Sequence, residues 1–154
     1  MADKVTLKSL TPREAVIDAL HRCLLGIDSN DRALFKSACL TDETMSVIAG
    51  ATILNGWTMI DEFFEKLFAM VTTHLTSNIR VHIEDGADTA SLTCHALAAH
   101  VRTEDALKVE DTSYTASSLY FLDLVRDGSD GLWKIKRWEI KVQWTTGDVK
   151  VLHG

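Results

Sequence analysis

Hydrophobic residues in this chain keep a helical period at first and a strand period afterwards. From Thr11, the residues Val16, Ala19, Leu20, Cys23, Leu24 and Ile27 recur at i, i+3, i+4 spacing, the buried stripe of a helix. Thr11-Pro12-Arg13-Glu14 marks its start: Thr caps, Pro takes the first helical position and Glu reaches back. Asp28-Ser29-Asn30-Asp31 breaks the pattern and offers caps for a short second helix, with Ala33, Leu34 and Ala38 inward. Two β-like runs, Met45 to Ile48 and Thr52 to Leu54, surround Gly50, and Asn55-Gly56 closes them. A third helix follows, with Thr58 and Asp61 as its cap pair. Ile60, Phe63, Phe64, Leu67, Phe68 and Val71 share one of its faces.

Beyond this helix the period falls to two. Ile79, Val81 and Ile83 alternate with Arg80, His82 and Glu84, the signature of a half-buried strand. Asp85-Gly86 supplies a turn, and Thr89 to Arg102 returns as a long central strand, apolar or small on both faces, lining something enclosed. A charged loop, Thr103 to Thr112, leads to strands from Ser113 to Val125 and from Trp133 to Trp144. In the last strand Trp133 and Ile135 share one parity, while Trp138, Ile140, Val142 and Trp144 share the other. That switch predicts a β-bulge near Lys136-Arg137. Helices followed by a meander of strands give an α+β fold. The expected architecture is a cone-shaped roll: a bent mixed or antiparallel sheet wrapped on a long helix, with two further N-terminal helices and one open pocket. Residues 1–10 read as a flexible arm and 11–154 as a single domain.

Composition removes several classes of function. A chain of 154 residues can bury a core without metal or disulfide help. A formal charge of −6 lacks the basic footprint of a nucleic-acid or anionic-membrane binder. The polar N-terminus has no apolar signal region, and no apolar run is long enough to span a bilayer. Cys23, Cys39 and Cys94 are widely spaced, without a CxxC pair, and read as buried hydrophobes in a reducing compartment. A cytoplasmic protein is expected. No tight His/Cys/Asp spacing suggests a metal site, so no cofactor is expected. The apolar strands exceed what one helix layer can cover, which predicts a homo-oligomer, a dimer before a trimer.

Two histidines carry the candidate chemistry. His74 stands at the entry to the first long strand and His100 near the end of the second, and a hairpin turning at Asp85-Gly86 brings them together. Imidazole accepts and returns protons near neutral pH. His95 has the opposite parity to His100, and His21 and His82 fall on polar faces. Tyr114, Tyr120, Trp57, Trp138 and Trp144 are aromatic candidates for a pocket wall. The plain alternative for all of these is core packing.

The Thr-Thr-His opening of a strand, the Asp-Gly turn, the Ala-x-x-His strand end and the terminal Gly-x-Trp-Lys-Ile strand resemble the SnoaL-like families of the nuclear-transport-factor-2-like superfamily. The resemblance runs from about Pro12 to Trp144, and its nearest pattern is that of the scytalone dehydratases. It implies that Asp28 acts with His74 and His100 as catalytic residues and that Ser117 contacts substrate; of the aromatic set, Tyr120, Trp57 and Trp144 are further substrate-binding candidates on their character alone. A carboxylate on one ring nitrogen would fix the tautomer and support an imidazolium. The pattern departs where a tyrosine is replaced by Ile27, a carbonyl-polarising tyrosine by Ala49, and a pocket asparagine by Leu119. The resemblance thus implies a cofactor-free isomerase, cyclase or dehydratase of polyketide or terpenoid type biosynthesis, on a substrate of its own. The alternative is a non-catalytic ligand-binding or dimerisation module of the same fold.

Overall fold

A computed structural model describes residues 5–108 and 112–154. Residues 1–4 of the expected arm and 109–111 of the expected charged loop lie outside the described residues. Helix α1 spans Pro12–Asp28 and α2 Arg32–Ser37; strands β1 and β2 span Ser46–Ala49 and Thr52–Asn55. Helix α3 covers Trp57–Phe68, followed by β3 (Met70–His82), β4 (Thr89–Arg102), a 3-10 turn (Thr103–Asp105), β5 (Ser113–Arg126), β6 (Trp133–Gly147) and α4 (Lys150–His153).

The first helix starts as its sequence prescribes. Thr11 Oγ1 accepts from the Glu14 N–H at 3.3 Å, and Glu14 accepts from the Thr11 N–H at 2.7 Å. Asp31 caps α2 by accepting from the Leu34 N–H at 3.0 Å. The third helix differs from expectation: it starts at Trp57, with Gly56 at its cap position and no side-chain cap, so Thr58 and Asp61 lie inside it. It also stops at Phe68. Met70 already pairs with Arg102, and this ladder takes Val71 into β3, where it is exposed.

The strands form one sheet in the order β2-β1-β6-β5-β4-β3. Strand β1 runs parallel to β6, whereas the other neighbouring pairs are antiparallel, so the sheet is mixed. The expected cone does not form. The sheet is open: β2 and β3 are its two edges, with no ladder between them among the described residues. Closure needs a cumulative stagger of register around the sheet. Here the register slips only locally, and helices cover the inner face instead.

Three local slips decide where side chains point. Lys136 is the extra residue between the pairs Asp123↔Arg137 and Leu124↔Ile135, the bulge that the parity switch predicts. Gln143 is a second extra residue on β6, between Ser118↔Val142 and Ser117↔Trp144. Asn78, at φ 54°, accompanies a third slip, on β3. Strand β4 is not apolar toward both sides in the same sense: Leu92, Cys94, Ala96, Ala98 and His100 are buried, while the alternate residues face the open side.

The core lies between α1, α3 and the inner sheet face. Val16, Leu20, Cys23 and Ile27 of α1 meet Leu92, Leu122, Leu124 and Ile135 of the sheet. Phe35 stacks on Phe64 with ring centroids 5.0 Å apart and also touches Phe68 and Trp57. Gly26 lets α2 approach α1, because a Cβ there would sit 2.7 Å from Phe35 Cα. Arg22 is buried but fully engaged, with Asp18 at 2.9 Å and the carbonyls of Ser37 and Trp133 at 2.6 and 2.7 Å. All three cysteines are buried and free. Among the described residues no helix is long and apolar enough to cross a membrane.

Candidate active site

Asp28 is the last residue of α1, and the helix delivers its carboxylate to the start of β3. Oδ1 accepts from the Thr72 hydroxyl at 2.8 Å and lies 2.6 Å from His74 Nδ1, while Oδ2 accepts from the His74 backbone N–H at 2.8 Å. Burial opposes ionisation of Asp28, but the ring and backbone bonds of His74 and the Thr72 hydroxyl outweigh it, holding the carboxyl below its usual range. A carboxylate only accepts, so Nδ1 of His74 carries the proton and Nε2 is left for the cavity. The His74 side chain is 4% exposed.

The β3–β4 register sets the second histidine beside the first. His74 pairs with Ala98 and His100 with Thr72, so the two imidazoles are diagonal neighbours on the inner face. Their ring centroids are 6.0 Å apart, edge to face. His100 Nδ1 lies 3.2 Å from the Tyr114 carbonyl oxygen, which can only accept, so His100 also turns an unprotonated Nε2 away from the strand. Burial pushes the His100 pKa down, reinforced by repulsion from His74 and His153 and opposed by the Tyr114 carbonyl.

The two imidazoles and Tyr114 line a cavity of about 250 Å³. Ser118 and Tyr120 add hydroxyls, and Ile27, Leu54, Phe63, Phe64, Trp138 and Ile140 make most of the remainder apolar. Burial pushes the Tyr120 hydroxyl well up, so it stays protonated as a donor. The indole N–H of Trp138 is buried and has no hydrogen-bond partner among the described residues. A larger, more open groove of about 500 Å³ lies elsewhere, lined by His82, Glu84, Asp123, Lys136 and Arg137. It holds none of the predicted site residues, whereas His74 and His100 converge on the smaller, more enclosed cavity. Among the described residues no three His, Cys, Asp or Glu side chains gather as a metal site.

His74, His100 and Tyr120 are thus brought together on the cavity wall with Tyr114 and Trp138, and Asp28 joins them from behind through His74. Ser117 is not on this wall: even-numbered positions of β5 face inward, so its neighbour Ser118, 4% exposed, takes the place. Parity with Tyr114 and Tyr120 was the available signal for Ser118. Trp57 packs on Phe35 outside the cavity wall. Trp144 is turned to the open sheet face by the bulge at Gln143 and is 53% exposed. His95 is exposed and meets Asn78 at 3.2 Å, and His82 is exposed as well. His153, on α4, lines the cavity, and no sequence pattern pointed to it.

An α+β fold with a part-buried carboxylate–imidazole pair whose ring lines an apolar cavity defines a class of small pocket-bearing proteins. Within it, the model of the SnoaL-like domain matches residues 8–139, and the chain belongs to that family, in the nuclear-transport-factor-2-like superfamily. A protein of Penicillium crustosum, terrestric acid biosynthesis cluster protein E, is 39% identical over 145 residues, with 91% of each chain covered. A provisionally assigned scytalone dehydratase from Novosphingobium aromaticivorans DSM 12444 superposes with a TM-score of 0.74 at 22% identity, covering 88% of this chain and 87% of that one. A type 2 hexachlorocyclohexane dehydrochlorinase gives 0.70 at 20% identity, covering 89% and 88%. Likeness at these identities shows the fold alone.

Proposed function

We propose that the protein is an enzyme of secondary-metabolite biosynthesis that moves protons with its own side chains, as an isomerase, cyclase or dehydratase. The observation that carries this reading is the Asp28–His74 pair, at 2.6 Å, presenting Nε2 to an apolar cavity. In this reading His74 Nε2 removes a proton from a carbon beside a carbonyl, and Asp28 stabilises the imidazolium formed. Tyr120 and Ser118 donate to the oxygen on which charge develops. The imidazolium then returns its proton, to another carbon in an isomerisation or cyclisation or to a departing hydroxyl in a dehydration. His100, neutral with Nδ1 occupied, accepts a hydrogen bond from a substrate hydroxyl and orients it. Nothing in these steps calls on a cofactor.

The biosynthetic setting is supported by the 39% identical relative, named for a biosynthesis cluster. The two fold neighbours are named for loss of water and of hydrogen chloride, reactions that begin or end with the same proton removal. The reading includes a homo-oligomer, a dimer before a trimer, assembled through the open sheet face.

The test uses a producer strain deleted for this gene. Its accumulated intermediate, incubated with purified protein in D₂O, should be converted either with deuterium incorporated at one carbon, when the proton returns to carbon, or with loss of one water, when it leaves with the hydroxyl. His74→Gln should slow conversion by roughly 10²-fold or more while remaining folded. An intermediate that binds but is never converted would favour the binding-module reading. So would a folded His74→Gln variant that works at the wild-type rate.

A further inference from the structure

A third histidine reaches the cavity by a route that the backbone fixes. The chain leaves β6 at Gly147, at φ +92°, where a Cβ would strike the Ser113 carbonyl oxygen, so only glycine serves. The Asp148 N–H donates to that same carbonyl at 2.9 Å, and the Asp148 carboxylate accepts from the Lys150 N–H at 2.9 Å. These bonds turn the backbone sharply into α4. Val151 is then buried against Tyr114 and Ala116, which anchors the turn, and Leu152 and His153 complete the cavity wall at its exposed edge.

The charges around this cavity leave His153 a distinct part. Among the described residues the wall contains no Lys, Arg, Asp or Glu. His74 is committed to Asp28, and His100 is held neutral by burial with Nδ1 against the Tyr114 carbonyl. His153 is exposed, and neither ring nitrogen has a protein hydrogen-bond partner among the described residues. Asp148 and Lys150 share its turn but do not line the cavity. A carboxylate placed deep in the apolar wall would lose its hydration uncompensated, and beside Asp28 it would meet a like charge. At the edge formed by α4 it keeps part of its water and finds an imidazole donor, whose charged form a bound anion favours.

We infer that His153 is a substrate-contacting residue that recognises a carboxylate at the mouth of the cavity, so that the substrate is a ring-sized carbonyl compound bearing an acid at its outer end. The inference rests on the proposal that this cavity is the substrate site. Binding of 1-indanone and of 3-oxo-1-indanecarboxylate, followed by NMR titration, tests it without turnover. Wild-type protein should bind the acid roughly five- to ten-fold more tightly than the ketone, between the effect of an exposed ion pair and that of a charge-assisted hydrogen bond. His153→Gln should erase this preference and leave ketone affinity unchanged, and His153→Lys should keep it. Asp28→Asn should also keep it while losing turnover, so failure of the acid–base reading and failure of this one are separable. No saturable binding of the acid at millimolar concentration, no preference in the wild type, or a preference that survives His153→Gln would overturn the inference.

Discussion

Replacing Asp28 by Asn exchanges one oxygen for an NH₂ group and reverses the logic of the part-buried pair. The carboxylate accepts three hydrogen bonds, from the Thr72 hydroxyl, the His74 backbone N–H and His74 Nδ1–H. An amide has one accepting oxygen and one donating nitrogen, so its N–H₂ must face a former donor. The accommodating change is a flip of the His74 tautomer: Nδ1 becomes the acceptor, Nε2 takes the proton, and the base facing the cavity is lost. Turnover of the accumulated intermediate should therefore fall roughly 10²–10⁴-fold. Stability at pH 7 should fall by about 1 kcal/mol, the difference between charge-assisted and neutral hydrogen bonds in a part-buried pair. The two proteins should also differ in acid. The folded-state pKa of Asp28 is lowered, so its contribution is complete above the unfolded carboxyl value of about 3.9. That contribution is lost as pH falls through the lower folded value. Urea midpoints from pH 7 to 3 should show the wild type losing this increment below about pH 4 and Asp28→Asn lacking it. A folded variant with turnover within a few-fold of wild type would refute the tautomer argument.

Three further outcomes follow from the same geometry. The His100 pKa is pushed down on folding, so the folded state resists a proton that the unfolded chain accepts; the wild type should lose stability as pH falls below about 6.5, and His100→Gln should flatten that limb of a urea-midpoint profile. Leu75, Leu97 and Trp144 lie in one cross-strand row on the open sheet face, so sedimentation should show an oligomer that Leu97→Lys with Trp144→Lys reduces to 17.1 kDa; a wild-type monomer at micromolar concentration removes this idea. Gly26→Ala should cost about 1–3 kcal/mol in denaturant titration, because its Cβ must displace the Phe35 backbone, and a neutral effect would show that α2 has room to yield.

What the chain encodes locally was legible from the sequence. The capping box at Thr11, the α1 stripe and the Asp31 cap depend on neighbours within one or two helical turns. The inward parity of His100 follows from two-residue alternation, and the bulge at Lys136 from a break in it. Asp28 was reached only through a family resemblance, because nothing within the helix announces that its last carboxylate will meet a strand 46 residues later. The rest required tertiary structure. The parallel pairing of β1 with β6 and the open rather than rolled sheet arise from contacts between distant segments, whose register no local period contains. A second bulge at Gln143 sends Trp144 outward, since one extra residue inverts every side chain after it. Trp57 went to the aromatic core because Phe35, on another helix, offered it a ring. His153 entered the cavity because Gly147 could fold the chain back onto Ser113, a contact set by packing and invisible to periodicity.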